Sequence, residues 1–359
     1  MENGISIYPG LDNTLAQNLQ LIQQAADCGI RRLFTSLHIP ETDPGRLKKE
    51  LAQILKAARR CDMEIISDIS PATMELLGIR EFSPSAFRML GITTLRLDYG
   101  FGLEEITALS RNRQGVRIQL NASTITGKIL SALVELHANF GQIDALHNFY
   151  PRRGTGLSEE FLVRKTSMLH KLGIRTGAFV PCAQGRRGPL REGLPTLEEH
   201  REEDAGLAAR HLVALGIDSV FLADSLPSRK ELQDIAGLQD DVIVLQARML
   251  TKDPVQQQLL RHIFTARADE ARDAVRAQES RRILKQSGTD IFPEHTDPRP
   301  AGAITIDNLN YQRYMGELQI IRQAQPADSR VNVPAVIAQS DQKLIPYITP
   351  GRKFSFLFD

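Results

Sequence analysis

Through the first two-thirds of the chain, the hydrophobic positions repeat one rhythm. A stretch with apolar residues at helical spacing runs into a glycine, an isoleucine and then a short, nearly continuous apolar run. The joint reads CGIRRLF at 28–34, LGITTLRL at 90–97, LGIRTGAF at 172–179 and LGIDSVFL at 215–222, with FGQIDALH at 140–147 as a variant. Glycine just past a helix takes the left-handed position without Cβ strain. A run that is apolar on both faces is what a buried parallel strand requires. The stretches before the joints carry the helical period: Leu15, Leu19 and Ile22 in 14–28, and Leu47, Leu51, Ile54 and Leu55 in 44–61. TLEE at 196–199 has the form of a capping box, which predicts Thr196 as N-cap and Glu199 at the third position of a helix running to Gly216.

The strand-like runs are 5–9, 32–37, 64–69, 94–99, 116–121, 144–149, 175–180 and 219–224. Eight strands alternating with helices predict an α/β fold, a (β/α)8 TIM barrel over residues 1–237. A doubly wound open sheet rarely needs eight parallel strands and usually opens on a glycine-rich turn, whereas the first turn here is YPGLDNT. After about residue 237 the rhythm breaks. Runs such as QDDVIVLQARML, AGAITIDNLNYQRYMGELQII and KFSFLF predict a smaller, β-rich domain over 240–359, with a helix near 267–285.

Composition adds mainly exclusions. The 359 residues carry a formal net charge of +1, so no overall pull toward nucleic acid or an anionic membrane is expected and any anion binding must be local. Three isolated cysteines, Cys28, Cys61 and Cys182, suggest reduced thiols rather than a disulfide framework. The opening MENGISIYPG lacks the basic and apolar regions of a secretory leader, and no run approaches a membrane span. A soluble, cytoplasmic protein is expected.

In a barrel of this kind chemistry sits where strands end. The predicted ends carry Tyr8, Ser36, Asp68, Asp98, Asn121, His147, Asn148, Tyr150 and Asp224. Each carboxylate also has a plain structural role available: a helix cap or loop bond for Asp68, an ion pair with Arg96 for Asp98, and turn chemistry for Asp224. Strand alternation lets either His147 and Phe149 or Asn148 and Tyr150 face the axis. We favour the second pair, which leaves His147 packed beneath the helices. No HxH, HExxH or CxxC spacing occurs, so neither a dedicated metal site nor a cofactor is expected. Arginines gather in two glycine-flanked loops, with Arg152 and Arg153 in HNFYPRRGTG and Arg186, Arg187 and Arg191 in PCAQGRRGPLREGLP. Guanidinium forks match phosphate or carboxylate oxygens, so these loops predict an anion-recognising rim.

The stretches GISIYPG, LFTSLHIP, LRLDYGF, IQLNAST, HNFYPRRGTGLS, RGPLREGLPTLEEHR and TIDNLNYQRYMGELQI together resemble the 6-phospho-N-acetylmuramidase family across essentially the whole chain. The resemblance implies a TIM barrel followed by a small cyclophilin-like domain. It also implies cytoplasmic hydrolysis of the β-1,4 bond in N-acetylmuramic acid 6-phosphate–N-acetylglucosamine, a muropeptide-derived disaccharide, during peptidoglycan recovery. Glycoside cleavage asks for two carboxyl groups. Asp68 and Asp98 end neighbouring strands, where roughly 5–6 Å between carboxyls would suit a retaining mechanism. Arg96 would hold Asp98 ionised as nucleophile or stabiliser and leave Asp68 as acid/base, with Asp224 the alternative partner. The substrate-binding set expected is Tyr8, Ser36, Asn121, Asn148, Tyr150, Arg152, Arg187 and, from the motif containing Tyr311, Arg313 and Tyr314, Glu317. A barrel lyase or isomerase acting on a phosphorylated sugar or keto acid is the competing reading, weakened because no predicted strand contains lysine. A non-catalytic sugar-phosphate sensor is the third. Association of identical copies is compatible with the sequence.

Overall fold

The computed structural model describes residues 1–36, 43–69, 82–97 and 100–358. The chain divides into two compact units, Met1–Leu212 with Gly216–Gly237, and Leu238–Asp359 with Val213–Leu215.

In the first unit eight parallel strands close on themselves in chain order, β1 pairing with β8. They are β1 Gly4–Ser6, β2 Arg32–Ser36, β3 Glu64–Ile69, β4 Thr94–Leu97, β5 Arg117–Asn121, β6 Ile143–Leu146, β7 Thr176–Val180 and β8 Ser219–Leu222. Gly29, Gly91, Gly173 and Gly216 all take positive φ at the predicted joints. At the 140–147 variant His137 takes that conformation instead (φ 58°), and a short 3-10 turn, Phe140–Gln142, leads into β6.

Two predictions need correction. β1, β6 and β8 are shorter than their apolar runs, so Tyr8, Asn148, Tyr150 and Asp224 lie beyond strand ends rather than on them. After β6 the backbone leaves the ladder to bond the segment before residue 197, with Tyr150 N donating to Pro195 O. Thr196 is also not a helix cap. Its hydroxyl accepts from Phe179 N and donates to Asn148 O, both at 2.9 Å, tying the ends of β6 and β7 together. Only a 3-10 turn, Glu198–His200, follows, and the helix runs over Ala205–Ala214. A tertiary hydrogen bond outcompeted the local cap.

The barrel interior is layered. At the floor, Arg32 donates to Glu64 at 2.7 Å and, reaching from β2 to the non-neighbouring β6, to Asp144 at 2.6 Å; Gln119 also donates to Asp144. Glu64 further accepts from the Thr94 hydroxyl. Arg32 holds the Glu64 carboxyl below its ordinary range, against the upward push of burial. Above this layer Phe34, Ile66, Leu146, Phe179 and Phe221 form an apolar cluster. Ser6, buried and in register with Phe34, is a polar side chain level with this layer, and the charged groups resume at the mouth.

The second unit is a seven-stranded mixed sheet in the order β10-β15-β9-β14-β12-β13-β11. Its strands are β9 Val242–Met249, β10 Phe264–Thr265, β11 Ala274–Arg276, β12 Ala303–Asp307, β13 Leu318–Ile321, β14 Val331–Ile337 and β15 Lys353–Phe358. Only β9 and β15 pair in parallel. The helix expected near 267–285 is split: 274–276 is strand and the helix spans Ser280–Ser287. Among the described residues no helix is long and apolar enough to cross a membrane.

Candidate active site

β3 and β4 stand in register with Asp68 opposite Arg96, and both side chains point into the barrel mouth. Arg96 Nη1 donates to Asp68 Oδ1 at 2.7 Å, and Nη2 donates across the lumen to Asn148 Oδ1 at 2.6 Å. Arg96 and Asp68 are both buried, so this is an ion pair shielded from water. The expected role assignment rested on Arg96 acting on Asp98. Asp98 lies outside the described residues, and the carboxylate that Arg96 contacts is Asp68. Ser36 is buried in register beside Asp68. Asn121 is buried at the end of β5, where its side-chain Oδ1 accepts from Ser123 N and shapes the next turn.

The alternation expected for 147–150 holds only in part. His147 is fully buried between the Ser123 hydroxyl (3.2 Å from Nδ1) and the Thr166 hydroxyl (3.4 Å from Nε2). Burial first, then the cations Lys165 and Arg96, bring its pKa down to about 3, so it stays neutral. Asn148 faces the lumen, as favoured. Phe149 does so too, because β6 has already ended: its ring meets Phe179, Phe34 and Tyr8 edge-on, with centroids 5.1, 6.2 and 6.3 Å away. Tyr150 is half-buried.

Tyr8 and Phe149 together form a slot for Arg187. The guanidinium carbon lies 4.7 Å from the Tyr8 centroid and 4.9 Å from that of Phe149. Arg187 is 8 % exposed. Its Nε is buried without a hydrogen-bond partner, and among the described residues the guanidinium forms no ion pair. The Tyr8 hydroxyl donates to Ala223 O at 2.7 Å. Burial pushes the Tyr8 phenol well up, Arg187 opposes this, and Asp224 and Asp68 add to it, so all three charges converge on this ring.

The loop carrying Arg187 is held by carboxylates. Asp224, wholly buried, accepts from Cys182 N and Arg187 N, both at 2.9 Å. Burial raises its pKa, against those two N–H bonds and the charge of Arg186. Asp12 accepts from Gly188 N and the Ser225 hydroxyl, and Glu231 accepts from Ala183 N. Asp224 therefore fixes the backbone that carries Arg187. Its sequence neighbours suggested an ordinary turn, and the acceptor roles of Asp12 and Glu231 lie too far away in sequence for any local pattern to show them.

The HNFYPRRGTG loop has a different use from the one its sequence suggests. Gly154 N and Gly156 N donate to the two oxygens of Glu198, at 2.8 and 2.7 Å. A Cβ on Gly156 would come within 2.7 Å of Glu198 N. Arg201 forks onto both Glu198 oxygens at 2.7 Å and also donates to Tyr150 O and Arg152 O. The backbone nest thus holds an internal carboxylate. Arg153 pairs with Glu202, while Arg152 is exposed. The Glu198–Arg201 spacing of three residues was a readable signal that the capping-box reading obscured.

Among the described residues one group could hold a metal: Glu199, His200 and His211, whose donor atoms lie within 4.8 Å of one another. The two buried imidazoles are already hydrogen-bonded to each other at 2.9 Å, and their eleven-residue spacing matches none of HxH, HExxH or CxxC. In the second unit Glu317 is buried among Arg281, Arg267 and Arg276.

Residues 3–237 match the family model described as 6-phospho-N-acetylmuramidase, N-terminal, and residues 243–357 the one described as 6-phospho-N-acetylmuramidase, C-terminal. Among solved structures the chain is similar to an uncharacterized B. cereus protein at 30% identity, covering 99% of this chain and 100% of that one, with a TM-score of 0.82. It is also similar to a conserved Enterococcus faecalis protein of unknown function at 32% identity, covering 100% and 97%, with a TM-score of 0.68. No curated protein matches.

Proposed function

The chain belongs to the 6-phospho-N-acetylmuramidase family, and on that premise we propose that it hydrolyses the β-1,4 bond between N-acetylmuramic acid 6-phosphate and N-acetylglucosamine. The observation that carries this reading is Arg187, a nearly buried cation in the barrel mouth, stacked between two rings with no hydrogen-bonding partner for its Nε. A buried charge left this way is costly unless a ligand completes it. The substrate offers two anionic groups, a phosphate and a lactyl carboxylate. The setting proposed is cytoplasmic recovery of peptidoglycan fragments.

For bond cleavage we assign Asp68 the role of ionised carboxylate. Arg96 at 2.7 Å is its partner, and a carboxylate facing the anomeric carbon attacks it or stabilises the developing oxocarbenium ion. Asp98, proposed from its place in the sequence, then protonates the departing O4 of N-acetylglucosamine. This reverses the roles expected from sequence. Asp224 takes no part in proton transfer, because its oxygens accept the N–H groups that fix the Arg187 loop. A Schiff-base lyase is disfavoured, since none of the eight barrel strands contains a lysine.

The test is incubation of the full chain with the 6-phosphorylated disaccharide and its unphosphorylated twin, products being followed by mass spectrometry. Cleavage of the phosphorylated form alone is expected. Equal turnover of both would remove the anion-recognition reading, and cleavage of neither would remove the glycosidase.

A further inference from the structure

The second unit contains a cleft of about 680 Å3. It is lined by Arg267, Arg281, Arg282, Lys285 and Arg313, against only two carboxylates, Asp290 and Glu317. In a chain whose net charge is +1, this is a local concentration of cations. Among the described residues neither Arg282 nor Lys285 forms an ion pair. An excess of cations in a concave surface raises the local potential and attracts anions.

Two further features separate this cleft from an ordinary charged surface. Glu317 is 6 % exposed, yet its nearest cations stand at 3.7 Å (Arg281), 3.9 Å (Arg267) and 4.0 Å (Arg276). All three lie beyond hydrogen-bonding distance, and among the described residues no group donates to this carboxylate. A buried carboxylate normally has donors; here they are left to be supplied from the cleft. Second, Gln312, which also lines the cleft, is held at φ 53°, ψ −117°. A side-chain-bearing residue is strained there, and such strain collects at binding sites. The arginines are meanwhile pre-arranged. Arg313 and Arg281 lie over the Tyr314 ring at 4.9 and 5.5 Å, and Arg281 donates to Arg313 O. A stacked guanidinium keeps its planar fork aimed in one direction.

We infer that this cleft binds a small phosphomonoester that also carries hydroxyl groups, a sugar phosphate. Arg281, Arg282, Lys285 and Arg313 receive the phosphate, and Glu317 accepts hydrogen bonds from ligand hydroxyls. The inference rests on the cleft alone and stands or falls independently of the barrel reading.

The experiment is calorimetric titration of the full chain carrying Arg187→Met, which removes the proposed barrel anion contact. The probes are glucose 6-phosphate, inorganic phosphate and glucose. Glucose 6-phosphate should bind, inorganic phosphate more weakly, and glucose not measurably. Arg281→Ala should weaken glucose 6-phosphate by roughly tenfold or more, the loss expected for one charge-assisted contact. Glu317→Gln should weaken glucose 6-phosphate while leaving inorganic phosphate no weaker, since the substitution takes a negative charge out of the cleft. Arg282→Glu, at an exposed position, keeps the question decidable if Arg281→Ala does not fold. Absence of binding to the parent, equal binding of glucose, or affinity unchanged in both arginine variants overturns the site. Inorganic phosphate binding as tightly as glucose 6-phosphate overturns the role of Glu317.

Discussion

Arg187→Met separates recognition from stability. In the folded protein Arg187 makes two cation–ring contacts at 4.7 and 4.9 Å, worth about 0.5–2 kcal/mol each depending on desolvation. Against them stands a buried Nε with no partner, a penalty of about 1–3 kcal/mol. These terms nearly cancel, and methionine keeps a polarisable, unbranched chain in the slot between Tyr8 and Phe149. Folding stability should therefore change by less than about 1 kcal/mol. Substrate recognition loses one or more charge-assisted hydrogen bonds at about 1.5–3 kcal/mol each, so KM for the phosphorylated disaccharide should rise roughly 10- to 150-fold, with kcat altered less. Chemical denaturation gives the first number and initial-rate kinetics the second. Arg187→Lys, which keeps the charge but loses the fork, should fall between. An unchanged KM refutes the anion contact. Destabilisation by several kcal/mol with a matching loss of kcat shows instead that Arg187 is a structural clamp.

Asp68→Asn should leave the fold intact and cut kcat by several orders of magnitude; retained β configuration in the released 6-phosphomuramic sugar, read by NMR before mutarotation, would agree with a close carboxylate pair, and an inverted product would exclude it. Glu198→Gln puts an amide where Gly154 and Gly156 both need an acceptor, so it should destabilise by about 1.5–3 kcal/mol and loosen the loop, seen as faster amide exchange at 152–156. Asp307 has its pKa raised to about 7 by burial, then by Glu317 and Asp328, against Arg299 and Arg330. A carboxyl raised in the folded state favours folding while protonated, so this contribution is lost as pH rises from about 4 through about 7. Asp307→Asn should then melt higher than the parent at pH 7.5 and show less difference at pH 5.

The barrel is readable because the rhythm is redundant: four copies of one helix-to-strand joint, each with its glycine, and a fifth in variant form leave few other folds available. The floor layer was partly concealed, since Arg32, Glu64 and Asp144 look like errors in buried strands until the closed sheet brings β2 to face β6 through the lumen. Asp68 and Asn148 stand out in the sequence because polar residues at the ends of apolar runs are conspicuous. Their link through Arg96 depends on register between strands, which one strand's sequence does not carry. The misreadings cluster at 147–156 and 196–201. There the local pattern suggested a ligand loop and a capped helix, while the folded chain spends the same donors on each other. Phe149 faces the lumen against the expected alternation because β6 stops at Leu146, before the alternation reaches it.

The carboxylates around the 181–195 loop have a consequence for how substrate preference can change. Asp12 near the start of the barrel unit, and Asp224 and Glu231 near its end, grip its backbone, and none of them need touch a sugar. On the proposed role of Arg187, preference would be set at a remove from the ligand, in residues that a docking view of the mouth would pass over. A laboratory selection for a new substrate should return substitutions at Asp12 or Glu231 alongside those in the Tyr8–Phe149 slot. Such variants would shift where the cation sits while leaving its identity alone, giving selection a graded adjustment where replacing Arg187 itself offers only loss.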